Sequence, residues 1–180
     1  GPPLFSHEIP LGAMQHIQHL LTSWPSGADR GILTNLKGQL SVALFHARLA
    51  GSSETTEEVR RQTEQLINVL DGPSGDTYGD LDGNGTIEDP GDGIGIFTHI
   101  DDLKHGRFAA AEAPDDGVIN EHAAAVVDRG STVEETTVNA MGRAKDALGA
   151  LDIAAARVLL GPGEDTVINL LETALMVFAA

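Results

Sequence analysis

Between residues 80 and 88 the chain reads Asp80-Leu81-Asp82-Gly83-Asn84-Gly85-Thr86-Ile87-Glu88. Oxygen-bearing side chains recur at 80, 82 and 84. A tightly curled backbone would turn all three towards one centre, and Gly85 supplies the conformational freedom for the curl. Thr86 can offer its backbone carbonyl. Glu88 can bind directly or through water. Ile87 is expected to point the other way as an apolar plug. This is chemistry for a hard cation: Ca2+ takes roughly six to eight oxygens at about 2.3–2.6 Å, and alternating donors on one short loop supply many of them.

The spacing resembles the calcium loop of EF-hands, which dockerin modules also use. The resemblance is local, covering about a dozen of the 180 residues. Asp80, Asp82 and Asn84 match the first three side-chain ligands of that family. Gly85 matches its turn glycine, Thr86 its carbonyl donor, Ile87 its apolar position and Glu88 its water-mediated position. The family's closing bidentate carboxylate would fall on Gly91, which has no side chain to ligate with. Asp92 is the expected substitute, with Asp89 next in line, Asp76 a further ligand candidate, and Pro90 reshaping the exit. The expected metal ligands are therefore Asp80, Asp82, Asn84, Thr86, Glu88 and Asp92, and the expected cofactor is Ca2+.

Residues 71–95 form one long excursion around this motif. The segment holds seven acidic side chains and no Lys or Arg. Glycine, proline and acids dominate it, and neither helical nor strand periodicity runs through it. Loops of this length inside a domain are usually functional or disordered. Without a cation the carboxylates repel one another, and bound Ca2+ would neutralise and order them. The preceding helix is expected to end near Leu70, so the segment reads as an EF-like loop inserted between helices.

The seven histidines carry a second possibility. His16 and His19 are three apart and share a face of a helix. His46 would meet them across an antiparallel helix pair, and three imidazoles can hold a transition metal. His99, Asp101, Asp102 and His105 form another candidate cluster. No HExxH pattern is present, nor the ExxH of di-iron bundles, and the absence of Cys excludes covalent c-type haem. There is no P-loop, no dinucleotide fingerprint and no GxSxG elbow.

The elements that must position these residues read as helices. Apolar spacing predicts helices over 11–24 (Met14, Ile17, Leu20, Leu21), 28–50 (Leu36, Leu40, Leu44, Ala47) and from residue 54 to about 70 (Val59, Leu66, Ile67, Leu70). A short helix is expected over 96–105. Further helices are expected over 118–128, over 133–160 with possible bends at Gly142 and Gly149, and over 164–178. The simplest architecture is a single all-α domain over 1–180. It would be a helical bundle of four main helices plus short ones, carrying the acidic loop.

Composition narrows the function. Eleven Lys and Arg stand against 27 Asp and Glu, giving a net charge of −16. Nucleic acid is a poor partner for such a surface, whereas a cation or a basic protein surface suits it. No apolar run is long enough to cross a membrane. No leader-like segment opens the chain. Gly1-Pro2 has the form of a scar left by a tag-removing protease, a cut that would also remove an export signal or anchor.

The expected function is thus a non-catalytic calcium-binding helical bundle from an exported or cell-surface protein, acting as a binding, sensor or structural module. An extracytoplasmic location is favoured because calcium there fills even weak sites. The competing expectation is a transition-metal or haem protein or enzyme built on His16, His19 and His46.

Overall fold

The computed structural model describes residues 31–105 and 117–178. Within them the protein is all-helical, with α1 (Ile32–Ser52), α2 (Thr56–Asp71), α3 (Ile96–His105), α4 (Gly117–Leu148), α5 (Ile153–Leu160) and α6 (Val167–Val177). The helix expected over 11–24, with His16 and His19, lies outside the described residues.

Four of the helices close a ring. α1 packs on α2 and α6, and α4 packs on the same two. α3 and α5 lie against this ring, both touching α1 and α4. The core is built from the expected stripes: Leu36, Leu40, Ala43 and Ala47 of α1 meet Leu66, Ile67 and Leu70 of α2, with Leu171 and Ala174 from α6. Three of these nine residues are alanine, which lets helix axes approach closely there. Burial of this apolar surface is the main force holding the ring.

The helix ends are capped by local chemistry. The Thr55 hydroxyl accepts the N–H of Glu58 at 3.2 Å and opens α2, and Glu57 and Glu58 in the first turn suit the positive end of its dipole. Asp152 and Thr166 cap α5 and α6 in the same way. The Arg157 guanidinium donates to the carbonyls of Gly51 and Ser53, at 3.2 and 2.8 Å, and satisfies the end of α1.

The second half departs from the expected helix boundaries. α4 runs unbroken through 128–133, and it ends at Leu148 where a continuous helix to 160 was expected. Two causes keep it helical. Ser131 and Thr132 return their hydroxyls to the carbonyls of Val127 and Asp128, both at 3.2 Å, so they do not compete with the helix. Gly130 is buried where α3 crosses, and a Cβ there would stand 3.0 Å from Cγ of Lys104. That glycine serves a close helix crossing, not a break. The real interruption comes at 149–152, where Asp152 starts a new helix by capping Ala155.

Among the described residues, no helix is long and apolar enough to cross a membrane.

Candidate metal centre

α2 is unusual in that its C-terminal part is buried on all sides. Every residue from 62 to 70 is buried, including Gln62, Thr63, Glu64, Gln65 and Asn68. One side faces the bundle core, and the acidic loop covers the other. The residues that receive the loop are Arg61, Glu64, Asn68 and Asp71. Their spacing of i, i+3, i+7 and i+10 places them along one face of the helix.

Each makes a specific contact. Arg61 forks onto Glu88, with Nη2 at 2.8 Å from Oε1 and Nε at 2.9 Å from Oε2. Glu64 is fully buried. Its Oε2 accepts the N–H groups of Leu81 and Asp82 at 2.8 and 2.9 Å, and its Oε1 accepts that of Glu88 at 2.9 Å. Asn68 donates to the carbonyls of Gly79 and Glu88 and accepts the Gly79 N–H, at 2.9–3.0 Å. Asp71 accepts the N–H of Thr77 at 2.6 Å. A buried carboxylate is costly unless hydrogen-bonded, and three backbone donors supply what Glu64 needs.

The loop itself is curled by its own acids. Asp80 accepts the N–H groups of Gly83 and Gly85 at 2.9 and 2.8 Å. Asp82 accepts that of Asn84, and Asn84 accepts that of Thr86, at 2.9 and 2.8 Å. Gly83 and Gly85 sit at φ +77° and +88°, a conformation that glycine adopts without strain. Leu81 turns inward against the core, whereas Ile87 is 53 % exposed. The inward apolar anchor is thus Leu81, and the expected role of Ile87 as a plug is not met. Glu64 holds the backbone on both limbs, at Leu81–Asp82 and at Glu88, and of the two apolar side chains beside these ties Leu81 is the one that packs inward.

The expected ligands therefore divide. Carboxylate oxygens of Asp80 and Asp82 come within 4.8 Å of each other and of Glu64, a grouping able to hold a metal ion. Asn84 lies beside them, with its Nδ2 donating to Asp82 Oδ2 at 2.9 Å. Thr86 follows in the same curl. The Glu88 side chain faces Arg61. That pairing, led by the hydrogen bond, holds its carboxyl below the usual range.

Asp92 stands apart, at the loop exit. Its Oδ2 accepts from Nε2 of His99 at 2.7 Å, its Oδ1 accepts the Ile94 N–H at 3.0 Å, and its own N–H donates to Gln39. Burial pushes this carboxyl up, but the bond to His99 and the backbone donors outweigh it and leave the group below its ordinary value. His99 is fully buried, and its Nδ1 makes no hydrogen bond. Asp102 nearby is pushed up by burial. Glu64 was not anticipated as a loop partner. Its only signal in the sequence was a charged residue in the polar row of α2.

Of the histidine trio, only His46 is described. Its Nδ1 donates to Oε1 of Gln62 at 2.7 Å, and Gln62 passes the chain on to Glu58 at 2.6 Å. The ring is thereby engaged with α2.

A cleft of about 540 Å³ opens beside the loop, between the first turn of α2 (Thr56, Glu57, Arg60), Asp82 and Asn84, and the 148–151 bend. It gives the curled segment access to solvent. No family model matches the chain, and neither a curated protein nor a solved structure matches it.

Proposed function

We propose that the protein is a non-catalytic calcium-binding helical bundle from an exported or cell-surface protein. Ca2+ orders its acidic loop, and the domain works as a binding, sensor or structural module. The observation that carries this reading is the convergence of Glu64, Asp80 and Asp82 within 4.8 Å. Two of these come from the EF-like motif, and the third rises from the buried part of α2. Three carboxylates at this separation repel one another strongly, and a divalent cation offsets that repulsion.

The donor set suits calcium. It consists of oxygens, and Asn84, the Thr86 carbonyl and water can complete a coordination shell of roughly six to eight. Glu64 already accepts three N–H groups, yet an ionised carboxylate has about four acceptor sites, so it retains capacity for a metal. Glu88 and Asp92 join the shell only by leaving Arg61 and His99. The extracytoplasmic setting is part of the same reading, because calcium outside the cell is abundant enough to fill a site of modest affinity on an exposed loop.

Isothermal titration of the chelator-treated protein with CaCl2 tests the reading, together with melting curves in Ca2+ and in EGTA. One equivalent of bound Ca2+ and a higher melting temperature are expected. No heat of binding and coincident melting curves would remove the calcium reading.

A further inference from the structure

Asn84-Gly85 is the one Asn-Gly step in the sequence; the five other asparagines precede Leu36, Val69, Glu121, Ala140 and Leu170. Both residues of the step are exposed, on the edge of the curled loop. We propose that Asn84-Gly85 is a self-modification site, at which the metal-free loop deamidates through a cyclic imide and so ages the loop.

Three features of the geometry support this. The nucleophile is the backbone nitrogen of Gly85, and its N–H already points at Asp80 Oδ2, 2.8 Å away. That carboxylate is placed to take the proton as the nitrogen attacks. Residue 85 does not crowd the ring, because glycine has no Cβ and nothing beyond its chain neighbours lies within 4 Å of where one would stand. The Asn84 side chain is held only by exposed bonds, from Thr86 N–H and to Asp82. Both bonds are open to exchange with water, so the side chain rotates readily towards the attacking nitrogen.

The step balances without a co-reactant other than water. The Gly85 nitrogen bonds to Cγ of Asn84, and the bond from Cγ to Nδ2 breaks. The proton taken by Asp80 returns to the departing nitrogen, which leaves as ammonia. Water then opens the imide at either carbonyl and leaves aspartate or isoaspartate at position 84. Nothing is oxidised or reduced.

The two products differ in consequence. Aspartate at 84 keeps an oxygen donor in the same place. Isoaspartate routes the backbone through the β-carbon and adds a methylene between positions 84 and 85. That shifts Gly85 and Thr86 away from the bonds that curl the loop. Bound Ca2+ slows the reaction, a point that rests on the calcium reading above. Ligation polarises the Asn84 carbonyl, which favours attack. Ring closure, however, requires a rotation that breaks the ligation, and positioning dominates such intramolecular reactions.

The test is a time course of the full chain in warm, mildly alkaline buffer, with EGTA or with CaCl2, read by peptide mapping and isoaspartate detection. In EGTA, residue 84 should convert roughly tenfold faster than any other asparagine, the effect of about 1.4 kcal/mol in barrier. Gly85→Ala should abolish that lead, and Asn84→Asp should give no mass change at the site. Conversion at residue 84 no faster than at Asn35 or Asn139 would overturn the proposal. Calorimetry on the same sample separates the two readings. If Ca2+ binds but gives no protection, the gating by calcium falls. If Ca2+ does not bind, the calcium reading falls, and the EGTA arm alone decides the modification site.

Discussion

The carboxylate of Glu64 and the backbone N–H of Asp82 meet at 2.9 Å, across 18 residues of sequence. Through this bond a fully buried helix residue sets the position of an exposed loop. The same carboxylate holds Leu81 and Glu88, so one side chain ties both limbs of the curl to α2. The loop is therefore shaped by the helix beneath it as well as by its own sequence.

Replacing Glu64 should accordingly damage stability and metal binding together. Glu64→Ala leaves three N–H groups beneath the loop without their acceptor. A hydrogen bond to a charged group contributes about 1.5–3 kcal/mol, and water entry offsets part of the loss, so a destabilisation of about 3 kcal/mol is expected in EGTA. Calcium affinity should fall roughly tenfold or more with the lost charge. Urea unfolding and calorimetry check both. A variant with unchanged unfolding midpoint would show that the loop does not depend on this anchor.

Arg61 has the opposite relation to the metal. It pairs with Glu88, and its charge also acts on Asp82. Both partners lie near the surface, so the pair itself should contribute under about 1 kcal/mol. Arg61→Ala should therefore change the EGTA melting temperature little. It should raise calcium affinity several-fold, because a cation beside the site is removed and Glu88 is freed to turn towards the metal. The gain should shrink in high salt. Competition with a calcium chelator dye at two salt concentrations reads this directly, and a weaker site in the variant would contradict the arrangement.

Much of the architecture can be read from the chain. Leu36, Leu40 and Leu44, or Leu66, Ile67 and Leu70, announce buried helix faces because apolar spacing and burial share one cause. The acidic loop is equally visible, since its seven acids stand without a basic neighbour in a stretch that has no helical period. What could not be read is the pairing of loop with helix. Arg61, Glu64, Asn68 and Asp71 have the profile of an ordinary solvated face, and only tertiary contact turns that face into a seat for the loop. Gly130-Ser131-Thr132 likewise has the composition of a break. Packing against α3 and the returned hydroxyl bonds override it.

The acid limb of stability should carry the mark of two carboxylates. Glu88 and Asp92 are held below their ordinary values of 4.5 and 3.8. The unfolded chain therefore takes up their protons first as pH falls. Their contribution is complete above the ordinary values and is lost as pH drops through the depressed native ones. Asp102 opposes this, because burial raises it above 3.8 and acid relieves its charge in the folded state. Melting temperatures in EGTA from about pH 6 to about pH 2.5 should fall on the acid side. Glu88→Gln and Asp92→Asn should each flatten that fall, and Asp102→Asn should steepen it. Identical acid limbs in all three variants would show that these groups do not set it.

The loop's two ends meet backbone to backbone, and this gives the sharpest structural test. Gly72 adopts φ +71°, and a Cβ there would lie 2.2 Å from the carbonyl oxygen of Ile94. Gly95 adopts φ +102°, and its Cβ would lie 2.6 Å from the carbonyl oxygen of Asp71. Neither obstacle is a flexible side chain, so neither can yield without moving the chain. Gly72 also ends α2, its N–H closing on Asn68 at 2.9 Å, and Gly95 accepts the N–H of His99 at 3.1 Å within the first turn of α3. Gly72→Ala and Gly95→Ala should each cost about 3 kcal/mol or more, from backbone strain and overpacking acting together. Gly83→Ala, at φ +77° with nothing within 4 Å of its Cβ, isolates the strain alone and should cost about 1–2 kcal/mol. Chemical unfolding of the three variants side by side separates the effects. If Gly72→Ala costs no more than Gly83→Ala, the close crossing of the two loop ends contributes nothing to holding the acidic loop on α2.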